Sequence, residues 1–396
     1  MRKKIHILYG LEAADSGALK HLTYLATNLD QTIFEITVIL STRRSTEYAY
    51  RHIMQMRRSK IRVIVIPMER NIHFGKDIVS FWAIFSHLVQ NQYDIVHAHS
   101  SKAGVLFRVA AWMARVPAIF YTPHCFYFQG KSGIKRAVYS AIERWMGAIT
   151  DHIVVSNNER DAAMNYNIAG SEKLLNINNA IDFEEYKSCR RKEILKRAMG
   201  LQENALVVGA VGRLVEQKDW LTYIYAAKDT IARFPEAVFL IVGEGELREY
   251  LQDTIDFLGM TDKIIITGYY AEIAEIYSVI DIYVSTSLWE GLPYVLLEAM
   301  WFRKPVVATD LGYSDLIQER ENGFLVTRKD YSLIAKRIGQ LIQDQALRQR
   351  MGEKGHQRVS RLFTFQKFVR SHEKAYLQLF SNGAYETLLP TVCGRE

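Results

Sequence analysis

Two glutamates frame the stretch of this chain whose residue types are best suited to catalysis or ligand binding. Glu290 and Glu298 are separated by seven residues in the segment EGLPYVLLE. Glu298 lies in an otherwise apolar helical pattern, where a buried unpaired carboxylate is costly, so we expect it to face hydroxyl or cationic groups. For Glu290 considered alone a structural role is at least as good an explanation, because a carboxylate at a helix N-terminus stabilises the helix dipole.

The loop between Glu290 and the following helix is suited to binding an anion. Gly291 keeps the loop free of side-chain bulk, and Pro293 suits a first helical turn, where its missing N–H would be unpaired anyway. The free N–H groups from Leu292 and Tyr294 onward, with the helix dipole behind them, form a site for a phosphate-like anion. The residue pattern predicts a βαβ unit, with a strand over 281–286, a helix over 293–302 and a strand over 305–308.

Two cations follow an earlier predicted strand. The strand over 205–210 leads into the segment VGRLVEQKD, which contains Arg213 and Lys218. Cations just past the carboxyl end of a strand can bind a diphosphate. A solvated loop is the alternative for such a pair taken by itself.

Glycine turns follow three other predicted strands. Gly17 permits a close approach of backbone to phosphate, although its turn lacks the full dinucleotide fingerprint. Gly243 and Gly268 each end a β-rich run, and Tyr269 follows the second of them. A single glycine turn is a weak indication of nucleotide binding, so these residues need support from the rest of the chain.

Three histidines are placed where strands end. His97 and His99 close a strand that begins at Asp94, and His124 lies in the loop after a strand over 118–121. We predict no metal site at His97 and His99, because His97 and Ala98 point to opposite faces of a strand and no third ligand is expected nearby. His124 considered alone is as consistent with a surface or packing role as with a binding role.

Two motifs in separate parts of the chain support one family. The segment EGLPYVLLE resembles the signature of retaining nucleotide-sugar glycosyltransferases of the GT-B fold, in glycosyltransferase family 4. The segments DIVHAHSSKAGVLFRVAA and YTPHCFYF are very similar to those of family members that build bacterial capsule and exopolysaccharide. The second match makes coincidence improbable.

The resemblance implies roles for particular residues. It implies that Glu290 and His124 contact the donor sugar, that the loop over Gly291, Leu292 and Pro293 holds the diphosphate through its free N–H groups, and that Glu298 binds the ribose hydroxyls. It also makes Arg213 and Lys218 diphosphate ligands, so that His124, Glu290, Arg213 and Lys218 are the expected catalytic residues. Gly17, Gly243, Gly268 and Tyr269 complete the expected donor site, and His97, His99 and Lys102 are assigned to the acceptor. The chain departs from the family pattern where Ser16, Cys125 and Ala180 replace glycine.

The expected fold class is α/β, as two Rossmann-like doubly wound parallel-sheet domains facing a central cleft. We predict an N-terminal acceptor domain over 1–183, completed by a C-terminal helix over about 365–382. A nucleotide-sugar donor domain is predicted over 184–364 and a tail over 383–396. The 396 residues, 49% of them hydrophobic, suffice for two cores of this kind.

Composition restricts the cellular setting and the partners. Three widely spaced cysteines argue against a disulfide scaffold and fit a cytoplasmic protein. No apolar run approaches the ~20 residues needed to cross a bilayer, so we expect membrane association only at the surface. The net charge of +7 favours anionic partners, and basic residues over 43–62 predict either a solvated helix face or a patch for anionic lipid or acceptor phosphate. No nucleic-acid recognition motif is present.

Together these features predict a retaining glycosyltransferase, a hexosyltransferase that is peripheral on the inner face of the membrane. The expected donor is a nucleotide-diphosphate sugar, a UDP-hexose or UDP-N-acetylhexosamine. The expected acceptor is a saccharide hydroxyl on a polyprenyl diphosphate, used in cell-surface polysaccharide synthesis. We predict no metal and no cofactor, because no aspartate pair suited to a metal is present. The alternatives are a nucleotide-sugar 2-epimerase of the same fold and a non-catalytic nucleotide-binding partner subunit.

Overall fold

The structure, a computed structural model, describes residues 4–12, 14, 17–43, 47–69, 71–186 and 190–379. The described chain divides into two compact units. Unit 1 comprises the described residues up to Asn179 together with those from Gln366 onward, and unit 2 comprises Ala180–Phe365. The tail predicted over 383–396 lies outside the described residues.

Unit 1 is built on a parallel sheet with helices on both faces. The seven strands run in the order β3-β2-β1-β4-β5-β6-β7. Its elements are β1 (Ile5–Leu11), α1 (Gly17–Asn28), β2 (Phe34–Leu40), α2 (Glu47–Arg58), β3 (Arg62–Val65), α3 (Phe74–Gln90), β4 (Ile95–His99), α4 (Ser101–Met113), β5 (Ala118–Thr122), α5 (Gly133–Ala148), β6 (His152–Val155), α6 (Asn157–Asn165) and β7 (Leu174–Asn176).

Unit 2 repeats this arrangement on a six-stranded parallel sheet, ordered β10-β9-β8-β11-β12-β13. Its elements are α7 (Lys192–Ala198), β8 (Leu206–Val211), α8 (Trp220–Ile231), β9 (Ala237–Val242), α9 (Arg248–Phe257), β10 (Ile264–Gly268), α10 (Ile273–Val279), β11 (Ile282–Ser285), α11 (Tyr294–Trp301), β12 (Val306–Thr309), β13 (Gly323–Val326), α12 (Tyr331–Gln343) and α13 (Gln345–Leu362). The last described helix, α14 (Phe365–Gln378), packs in unit 1, where Tyr376 contacts β1 and β4.

The strands are apolar because helices cover both faces of each sheet. β9, with the sequence AVFLIV, is buried at every residue, and its side chains divide between the hydrophobic clusters on the two faces of the unit 2 sheet. Parallel strands buried on both sides show continuous apolar runs rather than alternation. The predicted class of two Rossmann-like parallel-sheet domains is confirmed.

Strand order defines one switch point in each sheet. In unit 1 the chain winds outward from β1 in one direction and from β4 in the other, and β1 pairs with β4. In unit 2 the same reversal occurs between β8 and β11. Ligands of open α/β sheets bind at the carboxyl ends of strands beside such a point.

One strand was missed in the sequence. Gly323 begins β13 at the edge of the unit 2 sheet. A Cβ at this residue would lie 2.7 Å from the carbonyl oxygen of Val306, so the close approach of β13 to β12 requires glycine. A four-residue strand that begins with glycine resembles a turn when only its local sequence is considered.

Candidate functional site

In unit 2, the loops that leave the two switch-point strands meet through an ion pair. Lys218 follows β8 and Glu290 follows β11, and Lys218 Nζ lies 2.7 Å from Glu290 Oε1. Both side chains are largely buried, with 15% and 12% of their surface exposed. Ser287 Oγ also donates to Glu290 Oε1 at 3.2 Å. The structure therefore brings together two residues that the sequence analysis assigned to one donor site.

Hydrogen bonds between the same two loops hold this pair in place. Thr286 Oγ1 donates to the Lys218 carbonyl at 2.7 Å, and the Leu288 N–H donates to the Gln217 carbonyl at 2.8 Å. Gln217 Nε2 donates in turn to the Trp289 carbonyl at 2.8 Å. Because backbone groups of both loops take part, the separation of the two charged side chains is set before any ligand binds.

Arg213 belongs to the same loop as Lys218 but is oriented differently. Its side chain is exposed, and its carbonyl accepts the indole N–H of Trp220 at 2.9 Å. This bond attaches the first part of the loop to α8. The predicted role of Arg213 as a diphosphate ligand stays a prediction.

Glu298 is buried in α11, and two tyrosines bind its carboxylate. Tyr186 donates to Oε1 at 2.6 Å and Tyr277 donates to Oε2 at 2.8 Å. Burial, together with the neighbouring carboxylate, raises the pKa of the Tyr277 phenol well above its ordinary value, so the phenol remains a donor. The expected hydroxyl partners are present as protein side chains, and ribose binding by Glu298 stays a prediction.

The predicted anion loop leads directly into α11. Gly291 and Leu292 are buried, and Pro293 is the N-cap residue with an extended backbone rather than a member of the first helical turn. The Leu296 N–H donates to the Pro293 carbonyl at 3.2 Å, which begins the helix. The helix therefore starts one residue later than predicted.

The glycine turns of unit 2 allow three loops to pack backbone against backbone. Gly243 has φ of +145°, and a Cβ there would lie 2.0 Å from the Gly212 carbonyl oxygen. The Gly243 N–H donates to the Gly268 carbonyl at 2.9 Å, and Gly268 is itself left-handed, with φ of +78°. Tyr269, next in the chain, is 47% exposed. These residues lie at the carboxyl ends of β9 and β10, and their part in a donor pocket stays a prediction.

Unit 1 contains one residue assigned to the donor site, Gly17, and the residues assigned to the acceptor. Gly17 is the exposed first residue of α1. Lys102, in the first turn of α4, forms a 2.5 Å ion pair with Asp77 of α3. His97 is fully buried, and its ring bonds to Thr122 at 2.8 Å and to Tyr376 at 2.6 Å. Its contact with an acceptor stays a prediction.

His99 and His124 lie together at the carboxyl ends of β4 and β5. His99 Nδ1 and His124 Nε2 are 3.1 Å apart, and the rings are stacked. Burial lowers the pKa of both rings well below the ordinary value, and neighbouring imidazoles lower it further. Both rings are therefore neutral near pH 7.

The backbone around these histidines is strained. His124 has φ of +51° and Cys125 has φ of +82°, so two consecutive residues with side chains are left-handed. Cys125, which replaces the family's glycine, thus keeps a conformation that glycine favours. The Cys125 N–H donates to Glu159 Oε1 at 2.5 Å, a charge-assisted bond that helps to hold this turn.

A third imidazole does lie near these histidines, so the prediction that no further ligand is nearby is wrong. His21, on the inner face of α1, lies beside His99 and His124, and one ring nitrogen from each of the three residues lies within 4.8 Å of the others. The sequence analysis missed His21, together with Asn179 and His372, which surround it. The position of His21 in the sequence could have indicated its role, because it lies one helical turn after Gly17 and therefore at the same sheet edge.

A cavity among the described residues of unit 1 lies away from these sites. It has a volume of about 1000 Å³ and is lined by residues such as Lys4, Phe34, Arg62 and Asp94 at the amino-terminal ends of the unit 1 strands. Ligands of parallel α/β sheets bind at the opposite, carboxyl-terminal edge. The cavity is therefore not the candidate site.

Known protein families match both the N-terminal and the C-terminal part of the chain. A family described as Glycosyltransferase Family 4 matches residues 16–185. A second family, Glycosyl transferases group 1, matches residues 191–358. The first match covers most of unit 1 and extends a few residues into unit 2, and the second lies within unit 2.

The curated relatives include enzymes of bacterial surface polysaccharides. The chain is 32% identical over 295 residues to UDP-Gal:alpha-D-GlcNAc-diphosphoundecaprenol alpha-1,3-galactosyltransferase of Escherichia coli, covering 72% of this chain and 76% of that protein. It is 27% identical over 320 residues to the capsular polysaccharide biosynthesis glycosyltransferase CapM of Staphylococcus aureus, covering 79% of this chain and 84% of that protein.

Solved structures show the same fold across almost the whole chain. Anabaena HepE, crystallised with UDP and glucose, superposes with a TM-score of 0.80 at 21% identity, covering 94% of this chain and 99% of that one. Sucrose-phosphate synthase from Thermosynechococcus elongatus superposes with a TM-score of 0.78 at 17% identity, covering 96% of this chain and 100% of that one.

Proposed function

The chain belongs to the GT-B glycosyltransferases, with a family 4 region followed by a group 1 region, and we propose that it transfers a hexose from a UDP-sugar to a lipid-linked saccharide. The proposed acceptor is a sugar on a polyprenyl diphosphate, and the proposed process is the synthesis of a bacterial surface polysaccharide. Galactose is the first donor sugar to test, since the Escherichia coli relative is named for transfer from UDP-Gal to a diphosphoundecaprenol-linked acceptor. The observation that carries the proposal is the Lys218–Glu290 pair at the switch point of unit 2.

The ion pair suits a donor whose leaving group gains charge. Breaking the bond between sugar and phosphate builds negative charge on the departing diphosphate, and a fixed cation stabilises that charge more than the ground state. Lys218 supplies such a cation, and Glu290 supplies a carboxylate that can accept hydrogen bonds from sugar hydroxyls. We place the diphosphate at Lys218, Arg213 and the loop before α11, and the sugar at Glu290.

A donor screen tests the proposal directly. The purified full chain is incubated with UDP-galactose, UDP-glucose or UDP-N-acetylglucosamine and a polyprenyl-diphosphate-linked N-acetylglucosamine, and products are identified by mass spectrometry. We expect one donor to give a disaccharide on the lipid. An epimerised nucleotide sugar formed without acceptor would instead identify an epimerase, and nucleotide binding without any turnover would identify a non-catalytic subunit.

Substitution at the ion pair tests the assigned residues. We expect Lys218→Ala and Glu290→Ala each to lower turnover at least ~100-fold, as for the loss of one charge-stabilising group. Arg303→Ala is the matched control, because Arg303 and Glu353 form an ion pair of similar length, 2.8 Å, on the exposed surface of the same unit. Near-normal turnover in either test variant, with a normal unfolding temperature, would contradict its role.

Two further features of the reaction belong to the proposal. We propose transfer with retention of configuration, with a donor phosphate oxygen accepting the acceptor's proton, so NMR of the product from a UDP-α-sugar should show an α-linkage. We also propose that transfer needs no metal ion. Turnover should therefore survive treatment with EDTA, and its loss with rescue by Mn²⁺ would refute this point.

The surface of unit 1 supports an association with anionic lipid. No helix among the described residues is both long enough and apolar enough to cross a membrane. Exposed apolar side chains nevertheless recur at helical spacing on the two helices that pack on either side of α4: Phe74, Ile78, Trp82 and Val89 on α3, and Ile134, Val138, Ile142 and Trp145 on α5. Basic residues Lys135 and Arg144 are exposed on α5. We propose that these two helix faces lie on the membrane, where basic and apolar groups act together.

Vesicle co-sedimentation tests this association. The double variant Ile134→Ser, Trp145→Ser should lose binding to phosphatidylglycerol vesicles that retain the parent chain. Phe257→Ser is the control, since Phe257 is an apolar residue of unit 2 with 89% of its surface exposed. Equal loss in both variants, or no binding by the parent at low salt, would remove the proposal.

A further inference from the structure

Three buried or half-buried imidazoles converge from separate elements of unit 1. His21 comes from α1, His99 from the end of β4 and His124 from the loop after β5. His21 and His99 are almost wholly buried, whereas His124 is half-buried. The cluster contains no carboxylate, so its only donor atoms are imidazole nitrogens.

The spacing of the nitrogens suits coordination of one small ion. Two imidazoles on a tetrahedral Zn²⁺, with bonds of ~2.0 to 2.1 Å, place their nitrogens ~3.3 Å apart. His99 Nδ1 and His124 Nε2 are 3.1 Å apart, close to this value. One ring nitrogen of His21 lies within 4.8 Å of a ring nitrogen on each of the other two histidines, so a shift of about 1.5 Å, within the reach of side-chain rotation, brings the three to this spacing.

Asn179 determines which nitrogen of His21 is available. Its carbonyl oxygen lies 2.9 Å from His21 Nδ1, so that nitrogen carries the proton and Nε2 presents a lone pair. Nε2 is buried and has no hydrogen-bond partner among the described residues. A histidine whose second nitrogen donates to a carbonyl is the usual arrangement around a protein-bound metal.

The imidazoles are in the protonation state that a metal requires. Burial lowers the pKa of His21 to about 4, and the pKa values of His99 and His124 also lie well below the ordinary value. Metal binding at pH 7 therefore displaces no proton from a charged ring. Neutral imidazoles favour Zn²⁺, Co²⁺, Ni²⁺ and Cu²⁺ over Mg²⁺, Ca²⁺ and Mn²⁺, which prefer oxygen.

We propose that His21, His99 and His124 form a three-imidazole site for a late first-row divalent ion such as Zn²⁺, with a fourth position open to solvent on the side of His124. A metal held there takes up the lone pair of His124. If His124 contacts the donor sugar, as the family resemblance implies, the occupied site is inhibitory. This last consequence depends on the proposed function, whereas metal binding itself does not.

Binding is measured on the full chain without an affinity tag, after removal of metals by chelation. Zn²⁺ is titrated calorimetrically, and Co²⁺ is followed by the visible absorption of its tetrahedral complexes, with no sugar nucleotide present. We expect one equivalent of each ion and no binding of Mg²⁺. His21→Asn and His124→Asn should remove this equivalent, and His73→Asn, which alters an exposed histidine at the start of α3, should retain it.

A second variant keeps the test decisive if a ligand substitution impairs folding. Asn179→Ala leaves all three imidazoles in place and removes only the group that orients His21, so we expect affinity to fall about 10- to 100-fold. The Zn²⁺ concentration that halves transferase turnover should rise by the same factor. Absence of metal binding by the parent chain would overturn the proposal. Metal binding that is unchanged in all the cluster variants would also overturn it and would identify an adventitious surface site. Turnover of metal-free enzyme tests the proposed function independently.

Discussion

Lowering the pH from 7 to 5 should destabilise unit 1 through its buried histidines, and His372 permits the effect to be calculated. His372 lies on α14 with no exposed surface, its Nδ1 donates to the Phe368 carbonyl at 3.0 Å, and its ring is close to that of His21. Burial and, to a smaller extent, the neighbouring His21 lower the pKa of His372 to about 3, and the bond to Phe368 partly opposes this shift. The folded chain therefore resists protonation that the unfolded chain accepts.

The sign and size of the effect follow from proton linkage. Because the pKa is about 3 in the folded chain and ~6.5 in the unfolded chain, the unfolded state binds one more proton at pH values between these limits. Stability is greatest above pH ~6.5 and is lost as the pH falls toward 3, by ~1.4 kcal/mol per pH unit. Between pH 7 and 5 His372 alone should reduce the free energy of unfolding by about 2 kcal/mol.

Native-state hydrogen exchange of the β4 amides, measured in EDTA, reports the opening free energy of unit 1 without interference from unit 2. After correction for intrinsic exchange rates, we expect His372→Gln to remove about 2 kcal/mol of the pH dependence between pH 7 and 5. His73→Gln is the control, because that ring lies in water in the folded chain. An identical slope in the parent and His372→Gln would refute the argument that burial keeps this ring neutral.

Three substitutions test local features of the structure. Cys125→Gly should raise the free energy of unfolding by about 1 kcal/mol, because glycine adopts the left-handed backbone without steric cost, and a decrease in thermal stability would contradict the assigned strain. Tyr277→Phe should lower the free energy of unfolding, measured in urea, by about 2 kcal/mol, because it leaves a buried oxygen of Glu298 without this donor. The control Tyr223→Phe loses only hydrogen bonds to neutral carbonyls and should lower it by about 1 kcal/mol. Gly243→Ala should destabilise unit 2 and weaken UDP binding measured by calorimetry, because a Cβ there would lie 2.0 Å from a carbonyl oxygen of the loop after β8. Unchanged binding would argue against a role for this turn in the donor site.

The sequence alone was sufficient for the fold class and for the type of residue at the end of each strand. Apolar runs such as AVFLIV predict buried parallel strands because they depend only on local spacing, and Arg213, Lys218 and Glu290 could be placed just beyond such runs. β13 escaped detection because four residues that begin with glycine carry too little periodicity.

Only the tertiary structure decided which of these residues meet. The contact between Lys218 and Glu290 exists because β8 pairs with β11, and the approach of His21 to His99 depends on the pairing of β1 with β4. No local sequence pattern specifies the strand order, because that order depends on the way in which the crossover helices pack over the whole sheet. For the same reason the sequence could indicate that Glu298 needs hydroxyl partners but could not identify Tyr186, which lies 112 residues away along the chain.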